Sequence, residues 1–216
     1  MKDDNINIKG TYPNFTNKES VEIRGPLKCG NNIKIDINTI FDGNNTICNN
    51  VEIQANCIIK NSIIGEGTII KPFTTLDGTI IGKNCTIGPY ANLRSETEIK
   101  NKVSIGNFVE IKKSLIGDGT KINHLSFIGD TYIENNVVIG AGTITCNHDG
   151  IKHNNTIIRE GAYIGSGCKL IAPIEIGSNA TIGSGSVITE NVPSKKLALA
   201  RVRQSIISHW VRKKNK

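Results

Sequence analysis

An aliphatic residue returns every six positions along most of this chain, and few folds can absorb such a period. The positions run Ile35, Phe41, Ile47, Ile53 and Ile59, then Ile81, Ile87, Leu93, Ile99, Ile105 and Ile111, and again Leu170, Ile176, Ile182 and Ile188. Glycine follows many of the aliphatic residues, as in Ile64-Gly65, Ile87-Gly88, Ile105-Gly106, Ile139-Gly140, Ile164-Gly165 and Ile182-Gly183. A helix repeats at 3.6 and an ordinary strand at 2, so neither accounts for a step of six over this length. A solenoid does. Its short strands form the sides of a coil, and each coil buries its apolar edge only against its neighbours. The step shortens to five at Ile59 to Ile64, Leu76 to Ile81, Ile111 to Ile116 and Ile128 to Ile133. Three sides then close a coil of roughly 17–18 residues, and the predicted class is all-β, a parallel β-helix of hexapeptide repeats. Small or turn-forming residues (Gly, Asn, Asp, Ser) are expected at the corners, where positive φ is often needed.

Composition narrows the functional classes. The 216 residues accommodate one solenoid and a short appendage, and the 5% aromatic content suits a narrow core of Ile, Val and Leu. No apolar run is long enough for a membrane span, and the polar start does not read as a signal sequence. Six scattered cysteines (Cys29, Cys48, Cys57, Cys85, Cys146, Cys168) form no CxxC pair, which predicts reduced thiols, a cytoplasmic protein and no structural metal. The net charge of +7 is concentrated in residues 193–216, which carry eight Lys/Arg and no acid. The expected organisation is a polar lead-in or irregular first coil over 1–20, a β-helix over 21–192 and a basic arm over 193–216. The arm is expected to be helical or extended, and to be either a solubilising tail or a site for a phosphate-rich ligand.

Irregularities in a regular solenoid are where function is usually placed. The hexapeptide phase fails over 145–156 and predicts a projecting loop containing Asn147, His148 and His153. Arg94 and Lys112 lie about one coil apart, so two cations are expected side by side at strand spacing, about 5 Å. Like charges so placed repel unless an anion lies against them. His124 follows Ile122 in an otherwise regular coil. Taken alone, it reads as a surface histidine, and the cations as ordinary exposed charge.

The runs Ile87 to Arg94 (IGPYANLR), Gly106 to Lys113 (GNFVEIKK), His124-Leu125, Ile139 to Asn147 (IGAGTITCN), Asp149-Gly150 and Ala200-Arg201-Val202 change that reading. Over about residues 23–210 the chain resembles the C-terminal acetyltransferase domain of the bacterial bifunctional N-acetylglucosamine-1-phosphate uridyltransferase/glucosamine-1-phosphate acetyltransferase. The resemblance implies a left-handed coil and a homotrimer with sites between subunits. It also implies acetyl transfer from acetyl-CoA to the amine of glucosamine 1-phosphate, on the route to UDP-N-acetylglucosamine and so to peptidoglycan and lipopolysaccharide. It makes His124 the general base. Imidazole suits the task, because it exchanges a proton near neutral pH and an ammonium must lose one before it can attack. It assigns Arg94 and Lys112 to the sugar phosphate, with Ala141, Asn147, His148, Ser166, Ser184 and Arg201 at acetyl-CoA contacts.

Several matched positions depart from the pattern. Phe127 stands for a substrate-binding tyrosine, Val138 for an asparagine, His153 for a loop lysine near the phosphate, His148 for a tyrosine and Ser184 for an alanine. Two hydrogen bonds to the sugar are lost, at about 1 kcal/mol each, which predicts weaker or shifted acceptor recognition. No Gly-rich nucleotide-binding start lies in residues 1–30, so uridyl transfer is not expected of this chain. The competing readings are an acetyltransferase for another amino sugar, a catalytically weakened trimeric scaffold, and a trimeric carbonic anhydrase with zinc on three histidines. Against the last, His148 and His153 share an irregular loop and His124 is not a whole number of coils away. Neither a nucleic acid nor a membrane is expected as partner.

Overall fold

The computed structural model describes residues 8–211, and they form one three-sided coil made almost entirely of strands of two to four residues. Every third strand belongs to the same side, and all the ladders are parallel. The first sheet has ten strands, from Ile8–Gly10 to Ile174–Ile176. The second has eleven, from Asn14–Phe15 to Leu197–Ala198, and the third has ten, from Glu22–Arg24 to Val187–Ile188.

The six-residue period becomes a set of inward columns. On the second sheet Ile35, Ile53, Ile70, Ile87, Ile105, Ile122 and Ile139 stand in direct register, at steps of 17 or 18 residues. Their side chains are at most 4% exposed. Each buried aliphatic side chain contributes about 1.5–3 kcal/mol relative to exposure, repeated coil after coil. All six cysteines are free thiols, as expected, and four are buried in this core. Burial pushes the thiols of Cys29 and Cys57 up to about 11.

The corners need αL backbone, and asparagine supplies many of them, with side-chain ladders such as Asn32 to Asn50 (2.9 Å) and Asn38 to Asn56 (3.2 Å). The expectation of small or turn-forming corner residues fails at Glu96, Lys102, Lys113 and Lys195, which also take positive φ, and it fails in a run along one edge. Between the second and third sheets, Phe73, Tyr90, Phe108 and Leu125 take positive φ in four successive coils. The rings of Phe73, Tyr90 and Phe108 stack at centroid distances of 4.8 and 5.3 Å. Ring contact between neighbouring coils offsets the strain of a bulky residue in that region.

Three boundaries differ in detail from the sequence expectation. Residues 1–7 lie outside the described part, and 8–20 already form the first coil, with strands Ile8–Gly10 and Asn14–Phe15 and a 3₁₀ turn at Lys18–Ser20. The interruption is shorter than 145–156, because Ile144–Cys146 and Thr156–Ile158 remain in the ladders. The loop lengthens one step to 25 residues, Ile139 pairing with Ile164. The arm is extended, with Leu197–Ala198 adding to the second sheet, and no helix forms in it among the described residues. Arg212, Lys213, Lys214 and Lys216 of the basic tail lie outside the described part.

Candidate functional site

The corner that carries the aromatic stack changes character at His124. Hydrogen bonds join Gly142 N to His124 O (3.3 Å), Gly167 N to Ala141 O (2.7 Å) and Gly185 N to Ser166 O (2.8 Å). His124, Ala141, Ser166 and Ser184 therefore form one column, each two residues beyond a core isoleucine in register. Beside them the αL column passes from Phe108 and Leu125 to Gly142, Gly167 and Gly185, with φ of 74°, 74° and 75°. Above His124 the corner is a ridge of rings, and below it a trough floored by glycine. A Cβ built on Gly142 would come no nearer than 3.7 Å to Gly167, and one on Gly185 lies 4.0 Å from the Arg201 side chain. Arg201 thus closes the far end of the trough. It is held there by strand addition and by the bond from Val187 N to Ala200 O (3.1 Å).

The trough offers donors as well as space. The backbone N–H groups of Ala141, Ser166 and Ser184 make no hydrogen bond among the described residues, whereas the matching upper positions Pro72 and Pro89 have no N–H at all. The His124 ring is exposed and no described side chain bonds to it. Its carbonyl is tied to Gly142 and to the Ser126 hydroxyl (2.9 Å), which fixes the backbone that carries the ring.

The predicted cations lie on the third sheet. An outward column runs Arg24, Asp42, Lys60, Asp77, Arg94, Lys112 and Gly129. Its charge alternates until Arg94, as cross-strand pairs prefer, and Lys60 meets Asp77 at 3.8 Å. Alternation breaks at Lys112, which has no carboxylate partner among the described residues. Arg94 and Lys112 are adjacent, as the spacing predicts, and Glu110 pairs with Arg94 at 2.8 Å. Glu110, which the sequence reading did not single out, pairs with Arg94 alone and leaves Lys112 without a carboxylate among the described residues.

Gly129 follows Lys112 in the column, and its missing side chain matters. A Cβ there would stand 2.7 Å from Asn147 Nδ2 and 2.9 Å from the Phe127 ring. Glycine leaves the space beside Lys112 that the ring and the amide occupy. Val138 sits on the second sheet between Lys121 and Tyr163, presenting an apolar surface where the family pattern has an amide.

The projecting segment is a short antiparallel hairpin. His148 bridges His153, and Asn154 N donates to Asn147 O at 2.7 Å. Asp149 organises its tip by accepting from Ile151 N and Lys152 N (2.9 Å each) and from the Asn154 amide (2.9 Å). These bonds hold its carboxyl well below the usual range. The histidine rings meet edge to face at 4.9 Å. Asn147 is buried, while His148 and His153 are exposed. Among the described residues no group of three His, Cys, Asp or Glu is arranged to hold a metal ion.

Sequence reasoning missed Asp130 and Lys169 as well as Glu110. Lys169 Nζ reaches the trough carbonyls of Gly142 (3.4 Å) and Gly167 (3.5 Å). Asp130 contacts both Asn147 and His153 from beneath the hairpin. The available signal for Asp130 was its position one coil beyond Lys113, at the corner under the phase break.

Residues 23–97 match the family described as the GMPPB C-terminal domain, and residues 155–190 match the bacterial transferase hexapeptide repeat (six repeats). The chain is 49% identical over 203 residues to the bifunctional protein GlmU of Nitrosomonas eutropha, covering 94% of this chain and 44% of that relative. It is 45% identical over 194 residues to the bifunctional protein GlmU of Marinobacter nauticus, covering 90% and 43%. The chain therefore spans less than half the length of these curated relatives. Among solved structures it is similar to the UDP-N-acetylglucosamine acyltransferase of Arabidopsis, with a TM-score of 0.53, 16% identity, and coverage of 85% of this chain and 70% of that one. At that identity the likeness is one of fold.

Proposed function

Because the chain belongs to the family of the C-terminal, hexapeptide-repeat part of the bifunctional GlmU proteins, we propose that it transfers acetyl from acetyl-CoA to the amine of glucosamine 1-phosphate. The observation that carries this reading is the corner column. A base candidate, His124, stands at the head of a glycine-floored trough with unpaired N–H groups along it and Arg201 at its far end. An extended thioester with a phosphate-bearing end fits such a trough, because backbone donors suit its carbonyls and Arg suits its phosphates.

The chemistry follows from these groups. The His124 imidazole accepts a proton from the attacking nitrogen, the amine adds to the thioester carbonyl, and a C–N bond forms. The oxyanion of the tetrahedral species draws on the free N–H groups near Ala141. Collapse breaks the C–S bond, and the thiolate of CoA takes the proton that His124 holds. Arg94 and Lys112 bind the acceptor phosphate. This use explains why the alternating charge column is broken by a second cation with no carboxylate of its own.

In this reading the protein is a homotrimer acting in the cytoplasm, with each site completed by neighbouring subunits. Val202, Ile206, Ile207, Trp210 and Val211 of the arm are exposed in the single chain and form a surface for a neighbouring copy. An acetyltransferase for a different amino sugar is the second reading, favoured by Phe127 and Val138. The test is free-thiol release from acetyl-CoA with a panel of acceptors. Glucosamine 1-phosphate turning over faster than unphosphorylated glucosamine is expected. Preference for a neutral amino sugar would replace the first reading with the second.

A further inference from the structure

Asp130 belongs to none of the roles assigned above, yet it meets the hairpin at three points. Its side chain is only 11% exposed. Its Oδ2 accepts from the Asn147 amide and lies 3.0 Å from His153 Nδ1. Its backbone carbonyl accepts from Thr156 N at 3.2 Å, where the hairpin rejoins the coil. Its own N–H donates to Lys112 O at 3.2 Å. One residue therefore links the strand bearing Lys112 to both legs of the hairpin.

We propose that Asp130 is a positioning residue, whose carboxylate seats the 147–155 hairpin on the coil and fixes the His153 ring with its proton on Nδ1. A carboxylate only accepts hydrogen bonds, so the nitrogen facing it carries the proton. The 3.4 Å approach of Asn147 Nδ2 to the same nitrogen is the weaker contact, and assigning it instead would leave a lone pair against an anion. In the neutral ring Nε2 is then the bare nitrogen. Asn147 and His153 sit on opposite legs of the hairpin, so one carboxylate couples the two. If Asn147 meets the acyl donor and His153 the acceptor phosphate, as the family resemblance implies and the proposed acetyl transfer requires, Asp130 aligns the two halves of the reaction without touching either substrate.

The test compares Asp130→Asn, His153→Ala and the double variant with the unaltered chain, by kinetics and by NMR of the histidine ring nitrogens. The unaltered chain at alkaline pH is expected to show His153 protonated on Nδ1, and Asp130→Asn to lose that signature while the solenoid signals persist. The KM for acceptor and for acetyl-CoA should each rise about tenfold in Asp130→Asn, with a smaller change in kcat. In the double variant the acceptor effect should be less than additive, because His153 transmits it. A His153 ring protonated on Nε2 in the unaltered chain, or strict additivity, would overturn the proposal. Absence of turnover in the unaltered chain would overturn the acetyltransferase reading instead, and the ring-nitrogen signature would still decide for or against the seating of the hairpin.

Discussion

At the scale of single residues, the site is defined as much by what has been removed as by what is present. Gly129 leaves room for the Phe127 ring and the Asn147 amide, and Gly142, Gly167 and Gly185 leave the corner below His124 free of side chains. Phe127 and Val138 remove a hydroxyl and an amide that the family pattern supplies to the sugar. Restoring them should matter. Phe127→Tyr and Val138→Asn are each expected to lower the acceptor KM about fivefold, the equivalent of ~1 kcal/mol for one hydrogen bond. Steady-state kinetics with glucosamine 1-phosphate check this, and unchanged KM values would mean that the two positions do not face the acceptor. None of these roles was readable from residue type alone. His124 looked like a surface histidine until the surrounding motifs were matched, and Glu110 and Asp130 escaped notice because a carboxylate one coil away is distant in sequence. The charge column from Arg24 to Lys112 was legible in principle, since its members recur at steps of 17 or 18 residues.

At the scale of elements, the strands were almost fully legible and the hairpin was not. A six-residue period dictates which side chain points inward, and the ladder then follows. Residues 147–155 have no period, so the sequence announced only a break. Its antiparallel bridge depends on Asp149, Asn154 and Asp130, contacts that spacing does not encode. The extended arm was one of the two forms expected, and no helix forms in it among the described residues. Capture of Leu197–Ala198 by the open end of the second sheet satisfies backbone groups that a helix would have left exposed there. The corner before His124 also depends on one glycine. A Cβ on Gly106 would stand 1.8 Å from the Asn123 carbonyl oxygen. Gly106→Ala must therefore push two coils apart beside His124. A lower urea midpoint and at least a tenfold loss in kcat are expected, the latter because small misplacements near the reacting groups are costly. A variant with unchanged kcat would remove that corner from the catalytic geometry.

At the scale of the whole molecule, a solenoid has no compact centre, and its stability is a sum of coil-to-coil contacts. The interior carries ionisable groups in the form of thiols. Cys29 and Cys57 hold their protons up to about pH 11 when folded, against an ordinary value near 9 in the unfolded chain. Between those values the unfolded chain binds fewer protons, so stability falls as pH rises from about 9 to 11 and is unaffected by these groups below that window. Urea midpoints across the window should fall, and Cys57→Val should flatten the decline, because the side chain would then resemble Val109, which fills the corresponding buried place in the coil three turns on. An equal decline in that variant would assign the effect elsewhere.

We propose a single acetyl-transfer site in which His124 is the base, the glycine-floored trough holds the acyl donor, and Arg94 and Lys112 hold the acceptor phosphate. The decisive measurement is thiol release from acetyl-CoA with glucosamine 1-phosphate, for the unaltered chain and His124→Ala, alongside acetyl-CoA binding to both. Turnover that falls by a factor of about 10²–10⁴ in the variant, with acetyl-CoA still bound, is the predicted result. Equal turnover in the two proteins, or none in the unaltered chain, would contradict the account.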